Sequence, residues 1–170
     1  NFTFYILHFT FTCYAQNIKQ PNVAGMFYPD NPKELSQMID NFLDVANPEP
    51  MQGEIFALIS PHAGYGFSGP TAAFGYKLVK GKSYKTVIVI GRSHQYNFIG
   101  ASIYPQGKFQ TPLGDIEVDN AFAQKLLNQD PEITFKPEVF AEREHTIEVQ
   151  LPFLQKVLKD FKIVPIIVGD

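Results

Sequence analysis

Three histidines hold the positions where chemistry is expected. His62 lies in Ser60-Pro61-His62-Ala63-Gly64-Tyr65, His94 in Gly91-Arg92-Ser93-His94, and His145 in Glu142-Arg143-Glu144-His145-Thr146-Ile147-Glu148. Neutral imidazoles on rigid elements, with open positions between them, hold transition metals and leave room for a substrate. Two loop histidines that bind nothing fit the same spacing, so the spacing leaves both readings open. His145 stands at an expected helix start, where the positive end of the helix disfavours imidazolium and keeps the ring neutral. Glu148 follows three residues later and shares its face. An acid/base group fits that place, and so does a capping histidine in a solvated charge cluster.

Two other motifs compete. Gly64-Tyr65-Gly66-Phe67-Ser68-Gly69 matches the G-x-G-x-x-G of dinucleotide phosphate loops. Against it, Pro61-His62-Ala63 separates the expected strand from the first glycine, and Gly91-Arg92 replaces the acid that binds the ribose. An arginine there suits NADP, which keeps NADP binding through the Gly64–Gly69 loop as an alternative function. The simpler reading is that the glycines let two backbones approach closely. Ser68 does not make a nucleophile elbow, because Gly66-Phe67-Ser68-Gly69-Pro70 misplaces the final glycine of G-x-S-x-G.

The elements that position these residues are expected as follows. Asn31-Pro32-Lys33-Glu34 starts a helix, with Asn31 as cap and Glu34 completing a capping box. Leu35, Met38, Ile39, Phe42 and Leu43 line one face of it. Ile55 to Ser60 reads as a strand, Gly64 to Gly69 as a loop, Thr71 to Lys80 as a helix and Tyr84 to Ile90 as a second strand. Their apolar runs suggest parallel strands buried on both faces, in a βαβ unit. A right-handed crossover brings His62 and His94, each just past a strand, to one edge of the sheet, where such folds bind ligands. Phe98 to Tyr104 reads as a strand, Lys108 to Asp119 as a hairpin and Asn120 to Asn128 as a helix. Thr146 to Phe161 reads as a helix with Ile147, Leu151, Leu154 and Leu158 inward, and Ile163 to Val168 as the last strand.

The composition agrees. Of 170 residues, 45% are hydrophobic and 18% charged, enough apolar material for the core of one domain and too much for intrinsic disorder. A net charge of −3 supplies no basic field for nucleic acid. Cys13 is the single cysteine, so no internal disulfide forms. Residues 2–14, FTFYILHFTFTCY, are too short and Thr-rich for a membrane span. The small residues Cys13 and Ala15 fit a signal-peptidase site, so 1–15 are expected as a leader remnant and 16–170 as part of a single domain. The protein is then exported, and cytoplasmic if the segment is an N-terminal strand instead. His8 lies in this leader and is given no role.

Several segments taken together resemble the Memo family, whose bacterial members are called AmmeMemoRadiSam system protein B. They are Val23-Ala24-Gly25-Met26-Phe27-Tyr28-Pro29, Pro61-His62-Ala63-Gly64-Tyr65 with Ser68-Gly69, and Gly91-Arg92-Ser93-His94. Thr111-Pro112-Leu113-Gly114, Glu144-His145-Thr146-Ile147-Glu148 with Leu151-Pro152-Phe153, and Val164-Pro165-Ile166-Ile167-Val168-Gly169 follow in order. The resemblance implies an α/β fold, a three-layer αβα sandwich with a mostly parallel central sheet, like that of class III extradiol dioxygenases, truncated at the C-terminus. It implies a non-haem iron or copper site with His62 and His94 as ligands, His145 as the catalytic group, and Tyr65, Ser93, Glu144 and Glu148 around them. The family's remaining site residues, an Asp/His motif and a cysteine, are expected beyond Asp170. Gln95 follows His94 where some members carry a second histidine. The implied chemistry is redox or dioxygenase-like, on a small-molecule substrate, with association with radical-SAM system proteins. A non-catalytic ligand- or peptide-binding module on the same fold is the alternative.

Overall fold

A computed structural model describes residues 17–141 and 143–169 of the chain. The expectations for the leader, His8 and Cys13 lie outside these residues. In chain order the elements are β1 (Ile18–Lys19), α1 (Pro32–Val45), α2 (Tyr65–Leu78), β2 (Thr86–Arg92), β3 (Ala101–Ile103), β4 (Lys108–Thr111), β5 (Gly114–Glu117), α3 (Asn120–Leu127), β6 (Ile133–Thr134), α4 (Leu151–Val157) and β7 (Lys162–Val168). Short 3₁₀ turns occupy Pro137–Phe140 and Glu148–Gln150.

Helix α1 forms where its local signals place it. The Asn31 side chain accepts from the N–H groups of Lys33 and Glu34, and Pro32 opens the first turn. Its inward residues Leu35, Ile39 and Leu43 are fully buried. The expected hairpin is also present: β4 and β5 pair antiparallel, with Phe109 opposite Ile116. Together with β1 they make a small sheet ordered β1-β4-β5.

The larger sheet has the order β2-β7-β3-β6 and makes the fold α/β. β2 and β7 run parallel from Thr86↔Lys162 to Arg92↔Val168. β7 carries the centre of the core, with Ile163, Val164 and Ile167 fully buried. The expectation of a mostly parallel sheet is met only in part, because β3 pairs antiparallel with β7. The reason is chain length. Ser93 to Gly100, the link from β2 to β3, is too short for the crossover of a dozen or more residues that a parallel return needs.

Three further expectations are corrected. Ile55–Ser60 forms no strand ladder. A strand exists only through its partner, and among the described residues β2 pairs with β7 alone. The Gly64–Gly69 stretch is not a loop, because Gly64 caps α2 and Tyr65 to Gly69 are its first residues. The helix expected over Thr146–Phe161 is cut to Leu151–Val157. Pro152 clashes with the carbonyl four residues back, so a regular α-helix starts only beside it. The inward face of that segment is as expected: Ile147, Leu151, Leu154 and Leu158 are all buried.

Among the described residues, no helix is long and apolar enough to cross a membrane.

Candidate functional site

The three histidines meet. Ring centroids lie 5.3 Å apart for His62–His94, 4.8 Å for His94–His145 and 6.2 Å for His62–His145. His94 follows the end of β2, His62 precedes α2, and His145 lies ahead of the 3₁₀ turn at Glu148–Gln150. The cluster lies just past the end of β2, but among the described residues no crossover between paired strands brings His62 there, because Ile55–Ser60 is not a strand of the sheet.

An imidazole donates in its own plane, so ligands of one ion have planes that meet at it. The His62 and His94 planes are tilted by 54°, and those of His94 and His145 by 10°.

His145 has its tautomer set by a hydrogen bond. Its Nδ1 lies 2.8 Å from the Arg143 carbonyl oxygen, which can only accept. Nδ1 therefore carries the proton, and Nε2 of the neutral ring presents a lone pair. Phe27 packs edge-on against the ring at 4.5 Å and holds its orientation.

Glu144 organises the cluster. Ligand atoms of His94, Glu144 and His145 lie within 4.8 Å of one another, a grouping of metal-ligand type. Its carboxylate, however, is already engaged. Oε1 accepts from the His145 N–H at 2.8 Å, the Thr146 N–H at 2.9 Å and the Thr146 hydroxyl at 2.7 Å, and Oε2 accepts from the His94 N–H at 2.9 Å. Three donors meet Oε1, with His94 Nδ1 also 3.5 Å away, and one meets Oε2. Glu144 thus ties the loop after β2 to the His145 segment and is a positioning group. Burial by itself would raise its pKa; the N–H groups of Thr146, His94 and His145 and the Thr146 hydroxyl outweigh it and hold the carboxyl below its ordinary value. His62 is shifted down as well, first by burial, then by the nearby His94 and His145 rings. It is therefore neutral at pH 7, the form a metal ligand needs.

The other expected residues lie near the cluster. Tyr65 is 1% exposed and its hydroxyl donates to the Val149 carbonyl at 2.8 Å, so it braces α2 against the His145 segment from beneath. Ser93 is buried, and its hydroxyl oxygen accepts from the Tyr96 N–H at 3.0 Å, shaping the loop that carries His94. Glu148 is buried and accepts from the N–H groups of Asn22 and Val23 and from the Tyr28 hydroxyl. It clamps the segment that brings Phe27 onto His145. Burial and the adjacent carboxylate push the Tyr28 phenol far up, so it stays a donor.

Two further positioning residues are Gln150, which lies in no quoted motif, and Gly91 of the Gly91-Arg92-Ser93-His94 segment. Gln150 donates to the Pro61 carbonyl at 3.1 Å and accepts from the Tyr76 hydroxyl at 2.6 Å, fixing the peptide before His62. Gly91 matters through the side chain it lacks: a Cβ there would lie 2.2 Å from Thr146 Oγ1. Of the glycine motif, Gly69 faces the Phe42 ring, where a Cβ would stand 2.4 Å from Cε2, and Gly64 lies against the Phe27 backbone. Gly69 serves close approach of α2 to α1, whereas a Cβ at Gly64 would make only ordinary contacts.

Comparison with known proteins shows the family. The family profile described as "Memo-like protein" matches residues 19–170. A MEMO1 family protein of Methanobrevibacter smithii is 40% identical over 165 residues, covering 90% of this chain and 57% of the relative. A MEMO1 family protein of Thermoplasma acidophilum is 38% identical over 154 residues, covering 89% of this chain and 56% of the relative. A protein memo-1 homolog of Caenorhabditis elegans is 36% identical over 159 residues, covering 92% of this chain and 45% of the relative. The chain thus spans about half the length of these curated relatives. With the profile matching nearly every described residue, the chain belongs to the Memo-like family.

Proposed function

We propose that the chain carries a non-haem metal site in which His62 and His94 hold a redox-active iron or copper ion and His145 moves a proton for a small substrate. The observation that carries this reading is the pair of tilted imidazoles of His62 and His94 at 5.3 Å, with the ring of His145 beside them. The donor set fits: imidazole suits iron and copper alike, and two protein nitrogens leave positions open for substrate. When bound, the ion supplies one-electron and O₂ chemistry of the dioxygenase-like kind.

The chain's own residues supply the rest. His62 presents a neutral nitrogen because burial and its two neighbouring rings disfavour the imidazolium. His94 is held by its backbone N–H on Glu144. His145 Nε2 accepts a proton from a substrate hydroxyl, and the Arg143 carbonyl on Nδ1 stabilises the imidazolium that results. Its half-buried place against Phe27 keeps water from one face of the ring.

The test separates holding from turnover. Anaerobically purified protein is titrated with iron(II), and separately with copper(I), by calorimetry and metal analysis. His62→Ala and His94→Ala are expected to lose stoichiometric metal. His145→Ala keeps the metal and loses oxygen uptake with catechols by about 10²-fold or more. Equal metal binding by wild type and both ligand variants would overturn the site. Intact binding of a substrate with no uptake above background would favour a non-catalytic module.

A further inference from the structure

The carbonyl that sets the His145 tautomer belongs to a residue in an uncommon backbone conformation. Arg143, whose carbonyl oxygen lies 2.8 Å from His145 Nδ1, has a φ of 73°, in the left-handed region. It is the third residue of a turn closed by the Glu144 N–H on the Ala141 carbonyl at 3.3 Å. A positive φ at that place ordinarily calls for glycine or asparagine, because a Cβ crowds the neighbouring peptide. An arginine held there is strained, and such strain persists only where the surroundings over-determine the backbone.

Asn22 supplies that constraint from a segment far away in the sequence. Its side-chain Nδ2 donates to the Ala141 carbonyl at 2.8 Å and to the Glu144 carbonyl at 2.7 Å, so one amide group spans both ends of the turn. Its Oδ1 accepts from the Lys19 ammonium at 2.8 Å, and its backbone N–H donates to Glu148 Oε2 at 2.6 Å. The partners fix which way the amide faces, since an ammonium only donates and a carbonyl only accepts. Lys19 is itself held in β1, paired with Phe109 of β4. The small sheet thus reaches the turn through one side chain.

We propose that Asn22 is a positioning residue for His145: it staples the Ala141–Glu144 turn, keeps Arg143 left-handed, and so places the proton of the neutral ring on Nδ1. Without the clamp the turn relaxes toward the backbone an arginine favours, and the Arg143 carbonyl leaves Nδ1. The ring then takes the Nε2–H form that histidine side chains favour in water. Nε2 donates in that form, where the proposed chemistry needs it to accept. The functional consequence rests on His145 as the proton-moving group. The clamp and the tautomer belong to the chain itself, with or without metal and substrate.

The experiment is imidazole nitrogen NMR of the 170-residue chain without added metal. The pH is set well above the range in which imidazoles titrate, so the nitrogen shifts give the ratio of the two neutral forms. Wild-type His145 is expected almost wholly as Nδ1–H. Asn22→Ala is expected to lower the ratio of Nδ1–H to Nε2–H at least about fivefold, the effect of about one net hydrogen bond. Adding Arg143→Gly to Asn22→Ala is expected to restore the ratio, because glycine holds a positive φ without the clamp. If Asn22→Ala does not fold, Asn22→Asp takes its place with the same expectation, since it keeps an acceptor for Lys19 and lacks both amide donors. A wild-type ratio in the Asn22 variant overturns the proposal even where its thermal midpoint falls, because bracing alone lowers stability without moving the proton. A ratio that stays low in the double variant overturns it too, as does wild-type His145 found as Nε2–H. Failure of iron or copper to bind changes none of these outcomes, so the clamp and the metal site fail separately.

Discussion

In the proposed site, the acid–base state of His62 would decide when a metal can bind, because metal and proton compete for one lone pair. Burial, His94 and His145 lower its pKa from 6.5, against the opposing pull of Glu144. His62 therefore keeps its lone pair on acidification down to 6.5 and loses it only below that value. The midpoint of its imidazole titration, followed by NMR in metal-free protein, is expected below 6.5; a midpoint at or above it would contradict the assignment. The sign for stability is the same. The depressed group contributes fully above its unfolded value, and that contribution fades as the pH falls through the folded one. Glu144 behaves alike at lower pH, with its contribution complete above its ordinary 4.5 and lost as the pH falls through its depressed value. Glu144→Gln puts an amide nitrogen among N–H donors. It is expected to cost about 1–3 kcal/mol at neutral pH in urea denaturation and to flatten the stability profile below 4.5. An unchanged midpoint and profile would remove Glu144 as the organiser of the loops. These roles were only partly visible in the sequence. Residue type and local motif named the histidines, but only the fold brings their rings within 4.8 to 6.2 Å of one another, and no spacing rule encodes that meeting.

Among the elements, those set by local rules match their sequence signals. Asn31 caps α1 and the β4–β5 hairpin closes over Pro112-Leu113, because caps and tight turns depend on residues a few positions apart. Elements whose existence depends on distant partners do not. Ile55–Ser60 has strand composition but no ladder, and α4 is shortened by Pro152 and by the extended Leu158 that ends it. Two contacts between elements carry sharp expectations. Gly91 lets β2 pass the Thr146 side chain, so Gly91→Ala forces Thr146 off Glu144. Overpacking of this kind costs about 1–3 kcal/mol, seen as a lower thermal midpoint, and it shifts the His145 ring resonances. Tolerance without either change would show that Thr146 has room to move. Glu148→Ala removes the acceptor of two backbone N–H groups and the Tyr28 hydroxyl. It is expected to destabilise by about 1–3 kcal/mol and to raise exchange at Asn22 and Val23. Loss of stability with no change in exchange there would place its role elsewhere.

For the whole molecule, the distribution of apolar surface is the main property. One side of the sheet is closed, with Leu151, Phe153, Ile163 and Ile167 fully buried, while the side along β2 leaves Phe56, Ile59 and Ile90 in solvent. The chain alone is expected to bind an apolar fluorescent dye there. Phe56→Lys with Ile59→Lys should reduce that signal and move stability by no more than about 0.5 kcal/mol per site, since these side chains are exposed. Unchanged dye binding would locate the apolar patch elsewhere. The sequence by itself determined an α/β fold and the helix and hairpin with local signals. Those follow from periodicity, caps and turns, all of which are written in neighbouring residues. Only the tertiary structure decided that β3 runs antiparallel, that Glu144 accepts from four donors, and that the rings of His62, His94 and His145 lie side by side. It also decided that a strand-like segment stands apart from the sheet it resembles. Each of these depends on which distant backbone lies alongside and how a side chain is turned, and pairing and orientation are properties of contacts rather than of composition.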